Sequence, residues 1–355
     1  MKRILLMTAL FFTLLNSSFA QKEEVQKALN TFLDTVQTRS YMRDKMDWIQ
    51  IRKDAYEQTK NMSNTDSLLP IFQNIVSSLK DYHSQVMITK NKDDKYALVK
   101  LYATTTYEKQ GLPPLDFNHK MIDNKYAYIK LPGVMLEHRR YLDTIQSQLQ
   151  ELDSKNPKAW IIDLTENVGG SVIPMIIPFH FFIDTTSTFS YKIGTDSLGN
   201  EKLSEKQNLP QNGHYVENDT IATMFNLHDV QANKIKNNNK PIILLISNTT
   251  ASSGELTTAH FLGQHNVTAI GTKTAGLTSG NELIPLTHGY NVNLTTGVLH
   301  DRRGKSYEIT EGINPDVLID LDIKHIKTRN ELITYIKDSK QLFIDKAIEV
   351  LENKN

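Results

Sequence analysis

Three side chains of this 355-residue chain could together perform acyl transfer: Ser252, His83 and Glu311. Ser252 lies in "NTTASSGELTTAH", directly after the apolar run "PIILLIS" and at the start of a helical pattern. A helix N-terminus offers free N–H groups and a dipole that favour negative charge. A serine oxygen placed there could attack a carbonyl carbon, while the next amide, that of Ser253, faces the oxyanion that forms. Ala251, Ser253 and Gly254 are small enough to admit a substrate backbone, and Glu255 in the first turn suits the dipole. The plainer reading is that Ser252 or Ser253 only caps the helix, a common place for serine.

A second oxyanion donor could come from "IIDLTENVGG". This apolar run ends in the pair Gly169–Gly170, which lets backbone come close to a ligand. A plain strand-to-helix turn would look the same. A serine nucleophile needs a base, and near neutral pH that is usually histidine. His83, in "LKDYHSQV", follows a helical segment; as one of 11 histidines it reads equally as a surface or C-cap residue. Glu311, in "ITEGINPDVLID", stands where strands meet a turn and could orient the base. Taken alone it is a solvated turn carboxylate, one acid of 40.

Other chemistries find less support. The chain holds no H-E-x-x-H, no clustered His/Asp set and no G-x-x-x-x-G-K-[ST], so no cofactor or metal is expected. Without cysteine there is no thiol catalysis, disulfide or thiolate metal site. A formal net charge of zero supplies no attraction to nucleic acid or to an anionic membrane.

The elements that must position these residues follow from the hydrophobic pattern. Residues 1–20 combine Lys2 and Arg3, the apolar "ILLMTALFFTLL" and a small-residue site at Ser18 and Ala20. That is the layout of a signal peptide cleaved before Gln21, too short in its apolar part to span a bilayer. It implies a periplasmic or secreted protein with no membrane span after cleavage.

Residues 21–82 read as an N-terminal helical unit, with Val25, Leu29, Phe32, Leu33 and Val36 on one face and Leu68, Phe72, Ile75, Val76 and Leu79 on another. Pro70 falls in a first turn, where its missing N–H is tolerated. Beyond 83, "KYALVKLYA" and "KYAYIKLP" alternate like strands, "RRYLDTIQSQLQELDSK" reads as a helix and "AWIIDLT" as a buried strand. Strands "PIILLIS" and "VTAIGT" flank the helix that starts near Ser252. The polar stretch 190–240 reads as a loop, lid or insertion, and 328–353 as C-terminal helices. Alternating strands and helices predict an α/β (α+β) core for 83–355.

Taken in order, "LKDYHSQV", "KYAYIKLPG", "IIDLTENVGGSVIPM", "LLISNTTASSGELTTAHFLGQHNVTAIGTKTAGLTSGNE" and "TEGINPDVLID" resemble the carboxyl-terminal-processing (tail-specific) serine peptidases. The likeness is stronger to their tricorn-core and retinoid-binding-protein-like branch. The resemblance implies a crotonase/Clp-protease-like sheet-and-helix core. It implies Ser252 as nucleophile, the Ser253 amide and the Gly169–Gly170 pair (Gly169 foremost) as oxyanion donors, His83 as base and Glu311 as its support.

The sequence also departs from the family. Leu277 stands where the serine–lysine branch has its base, and Lys273 is close but out of register. Thr165 replaces a frequent arginine. About 40 residues separate His83 from "YAYIKLP", too few for a PDZ domain. The expectation is an exported serine peptidase acting on peptide or protein substrates. The alternatives are a non-catalytic ligand- or peptide-binding protein on the same scaffold, or an esterase or amidase of small substrates.

Overall fold

The computed structural model describes residues 2–92, 94, 96–184, 189–206, 209–216 and 220–353. Its contacts divide the chain into two compact units, Met1–Leu98 with Gly280–Gly297, and Val99–Ser279 with Val298–Asn355. The first unit therefore runs beyond residue 82 and takes in a segment from far downstream. The reason is strand pairing: Gln85–Ile88 (β1) lies antiparallel to 290–293, with Gln85 opposite Asn293.

Three helices complete that unit: α1 (Lys2–Arg39), α2 (Trp48–Thr59) and α3 (Leu69–Ser78). The expected stripe on α1, Val25 through Val36, is buried. Phe32 stacks on Phe72 of α3 with ring centroids 3.9 Å apart. Asp47 caps α2 by accepting the Gln50 N–H at 3.0 Å, and Pro70 sits in the first turn of α3. Among the described residues no helix is long and apolar enough to cross a membrane.

One expected strand is a helix. "KYALVKLYA" forms α4 (Ala97–Thr104), with Leu98 and Val99 buried and Tyr102 half-buried. Positions i, i+1 and i+4 share a helical face, and a short apolar run does not distinguish the two periods.

The second unit is built on a six-stranded sheet of order β13-β10-β9-β4-β3-β2. Its members are β2 (Asn118–Ile122), β3 (Tyr126–Lys130), β4 (Ala159–Asp163), β9 (Ile242–Ile246), β10 (Val267–Gly271) and β13 (Val317–Leu318). All pairings are parallel except that of β2 with β3. Every residue of β3, β4 and β9 is buried, as expected for a parallel sheet covered on both faces.

One face carries Trp160, Ile162, Leu244 and Ile246 against α5 (His138–Ser154), α6 (Ile173–Ile176) and α8 (Ser253–Phe261). The other carries Ile161, Ile243 and Leu245 against α9 (Arg329–Asp338) and α10 (Lys340–Asn353). The Trp160 indole N–H donates to the Asn237 carbonyl at 2.9 Å, so its polar end is satisfied inside the core.

The polar stretch 190–240 is not simply a loop. It contains β5 (Ser190–Thr195) paired with β6 (Glu201–Leu203), then β7 (His214–Val216), α7 (Thr220–Met224) and β8 (Asp229–Gln231) paired with β7. Residues 207, 208 and 217–219 of that stretch lie outside the described residues. Two long strands, β11 (Ser279–Pro285) and β12 (Tyr290–His300), follow; residues 298–300 of β12 pair antiparallel with β5.

Two buried histidines make this core sensitive to acid. Burial lowers the pKa of both His138 and His260 to about 4. An unfolded imidazole takes up a proton near pH 6.5, the folded one only near 4. Stability from this source is present above about pH 6.5 and is lost as pH falls toward 4. The Tm should therefore drop between pH 7.5 and 4.5, and the drop should shrink in His138→Phe and His260→Phe; an unchanged pH dependence in both variants would rule these residues out.

Candidate active site

Because β4 and β9 are parallel neighbours, with Asp163 opposite Leu245, the turns leaving their carboxyl ends emerge side by side. In parallel sheets this is where ligands are met. The turn after β4 carries Gly169 and Gly170; the turn after β9 carries Ser252 and leads into α8. Hydrogen bonds join the turns: the Ser247 and Thr249 hydroxyls donate to the Thr165 carbonyl and the Thr250 hydroxyl to the Leu164 carbonyl. The Ala251 N–H donates to the Asn167 carbonyl at 2.9 Å, and the Ser253 hydroxyl donates to the Gly170 carbonyl at 2.6 Å.

The approach is close. A Cβ on Gly169 would lie 2.8 Å from the Ser252 Cβ and 3.3 Å from its Oγ. One on Gly170 would lie 2.0 Å from the Val134 carbonyl oxygen. With φ of 107° and 120°, both positions need glycine for conformation as well as for space.

Ser252 stands at the N-cap of α8 with φ 53° and ψ −120°. An ordinary cap residue is in the β-region; a positive φ on a serine is strained and persists only where its surroundings impose it. Part of that imposition comes from Glu255, whose side chain is fully buried. Its carboxylate accepts the Ser252 N–H at 3.0 Å, the Gly276 N–H at 2.9 Å, the Leu277 N–H at 2.8 Å and the Thr274 hydroxyl. Burial pushes this carboxyl above the usual range, and the four donors act against that rise.

Sequence reading gave Glu255 a dipole role alone. The S-x-x-E spacing of a capping box was visible, but its tie to residues 274–277 was not. Asn167 was also missed: its side chain accepts the Gly169 N–H at 3.0 Å and donates to the Leu131 carbonyl at 3.0 Å. The Gly169 amide is thus already used. In the glycine pair the amide with no partner among the described residues is that of Gly170. The Ser253 amide, at the first position of α8, likewise meets no acceptor there.

Leu277, which stands where a lysine base would be, contributes its backbone N–H to Glu255. Thr165 is buried, and Lys340 at the start of α10 brings a cation to it and to the buried Asp163. Burial opposes the Asp163 carboxylate, but the neighbouring Lys340 ammonium keeps it below the usual range.

His83 belongs to the first unit, and its backbone is pinned within it. Buried Asp81 accepts the N–H groups of His83 at 3.1 Å and Ser84 at 2.8 Å, and the Asn281 side chain donates to the His83 carbonyl at 3.2 Å. Lys80 and Tyr82 on either side of Asp81 have φ of 56° and 58°, so this turn stores strain next to the imidazole. Burial lowers the His83 pKa below 6.5, and the Asp81 carboxylate partly opposes the shift. Glu311 belongs to the second unit. Its carboxylate pairs with Lys305 at 2.8 Å and accepts the Glu308 N–H at 3.2 Å. The Lys305 ammonium holds it below the usual carboxylate range.

A cavity of about 490 Å³ opens beside the glycine turn. Val172, Ile173 and Ile176 line it from just past Gly170, Phe189 from just before β5, Tyr191 from β5, and His260 from α8. The volume suits a side chain or small ligand, and the lining is mainly apolar. Among the described residues no group of three His, Cys, Asp or Glu side chains could hold a metal.

A parallel sheet whose adjacent strand ends bring a strained serine at a helix start against a two-glycine turn has the layout of a serine-peptidase core. Residues 125–319, more than half of the chain, match Peptidase family S41, and the chain belongs to that family. It is 25% identical over 296 residues to the nisin-resistance protein of Lactococcus lactis subsp. lactis, covering 82% of each chain. It is 25% identical over 203 residues to the carboxy-terminal-processing protease of Bartonella bacilliformis, covering 56% of this chain and 40% of that one. Among solved structures, a lipoprotein from Streptococcus agalactiae superposes with a TM-score of 0.61 at 25% identity, over 88% of this chain and 96% of that one. The photosystem II D1 C-terminal processing protease shares the fold, with a TM-score of 0.53 at 13% identity, over 85% of this chain and 94% of that one.

The Glu255 network carries a direct consequence. Glu255→Ala leaves three N–H groups and a hydroxyl without their acceptor and should cost about 3–5 kcal/mol. Glu255→Gln, which keeps one acceptor oxygen, should cost less. Urea unfolding followed by circular dichroism measures both; a loss within about 1 kcal/mol for the alanine variant would show that the network does not hold the turn.

Proposed function

We propose that the chain is an exported serine peptidase in which Ser252 attacks the scissile carbonyl. The observation that carries this reading is the strained Ser252 backbone, held by Glu255 and set against the Gly169–Gly170 turn. In the proposed mechanism His83 takes the Ser252 hydroxyl proton as the oxygen bonds to the carbonyl carbon. The amides of Ser253 and Gly170 receive the oxyanion. The tetrahedral intermediate collapses, His83 returns the proton to the leaving amine, and water hydrolyses the acyl-enzyme by the reverse sequence. Glu311, held below the usual carboxylate range by Lys305, is assigned to orient and support the imidazolium.

The apolar cavity favours peptides with an apolar side chain beside the scissile bond. The similarity to a nisin-resistance protein makes nisin a substrate to test. Export rests on Lys2, Arg3 and the apolar run that follows, with cleavage after Ala20. In a host that secretes it, the purified chain should begin at Gln21 by N-terminal mass analysis; an intact Met1 would remove the export reading.

Digestion of a peptide library should show cuts beside apolar residues, and Ser252→Ala should abolish them while substrate still binds. Turnover unchanged in that variant would overturn the assignment. A base must be neutral to act, so activity is present above the His83 pKa and lost below it. Because burial lowers that pKa, the acid limb of kcat/KM should fall below pH 6.5. His83→Ala should remove this limb together with most of the rate.

A further inference from the structure

We infer that the Ser253 side chain is a positioning group for the oxyanion hole, resting on the reading of Ser252 as nucleophile. The Gly169–Gly170 turn has few free polar groups. The Gly169 N–H is held by Asn167, and the Gly169 carbonyl accepts the Val134 N–H at 3.0 Å. The Ser171 N–H donates to the Val134 carbonyl at 2.7 Å. The Gly170 carbonyl accepts the Ser253 hydroxyl at 2.6 Å. What remains without a partner among the described residues is the Gly170 N–H, the kind of group an oxyanion needs.

A peptide unit is planar, so fixing one end of it fixes the other. Val134 holds the plane that carries the Gly170 N–H. Ser253 and Val134 together hold the next plane, on the other side of the Gly170 Cα. Glycine at φ 120° has no side chain to resist rotation, so these hydrogen bonds set where its amide points.

Ser253 has a second connection to the site. Its own amide is the other proposed donor, at the first position of α8. One residue thus offers an amide to the oxyanion and, through a buried hydroxyl, holds the carbonyl of the residue that carries the opposite donor. Together with the Val134 bonds, this bond limits rotation about the Gly170 Cα and so the spacing of the two donors before substrate arrives. Such preorganisation matters most when charge develops in the transition state.

The test compares wild type with Ser253→Ala and Ser253→Thr. The alanine variant should lose about tenfold to a hundredfold in kcat with KM little changed, and keep the acid limb of its pH profile in place. The threonine variant, which retains the hydroxyl, should recover most of the loss. Hydrogen exchange at the Gly170 amide should quicken in Ser253→Ala and not in Ser253→Thr. Should the alanine variant not fold, Ser253→Val against Ser253→Thr isolates the hydroxyl at constant shape. An unchanged kcat, an unchanged Gly170 exchange rate, or equal losses for valine and threonine would overturn the proposal. A wild-type protein that neither cuts peptides nor labels with a fluorophosphonate would sink the peptidase reading instead, and the exchange comparison would still decide whether the hydroxyl positions Gly170.

Discussion

A buried carboxyl depends on its hydrogen bonds, and among the described residues Glu255 accepts four. It draws the Ser252 amide, the Gly276 and Leu277 amides and the Thr274 hydroxyl onto one point. Leaving such a group unpaired in the interior would be costly, so the first turn of α8 and the segment after β10 are locked together. The positive φ of Ser252 is held in part by this lock. A backbone that no isolated serine would choose is imposed by contacts around it, and the hydroxyl is presented in a fixed direction.

The second constraint is the parallel pairing of β4 with β9. It puts two turns side by side that are separated in sequence by about eighty residues, a separation costly in loop entropy but one the sheet resolves at once. Glycine then does what no other residue could. At 169 a side chain would press on Ser252, and at 170 it would collide with the Val134 carbonyl. The scaffold and the site are therefore one construction: the core strands set the spacing, the glycines admit the contact, and Asn167 and Ser253 fasten it. Peptidase family S41 is the family in which this construction is placed.

Much of this was legible in the linear chain. The helical stripes on α1 and α3 follow from apolar spacing, because a buried helix face repeats every three to four residues whatever lies across from it. The uninterrupted apolar runs of β4 and β9 announce strands covered on both sides. Ser252 at a helix start and the glycine pair after a strand are local patterns that depend on immediate neighbours. Where the local pattern was ambiguous it misled: "KYALVKLYA" satisfies both periods, and Ala97–Thr104 is a helix with Leu98 and Val99 buried.

The sequence by itself determined which residue types were present for acyl transfer and excluded thiol chemistry, since these depend only on composition and short-range order. Tertiary structure alone decided which of these groups meet. That Glu255 reaches across to 274–277, that Lys340 supplies a cation beside Thr165, and that residues 280–297 join the first unit are all contacts between distant positions. No local spacing encodes them, because a hydrogen bond between remote residues exists only once the sheet and its crossovers have brought the partners within about 3 Å.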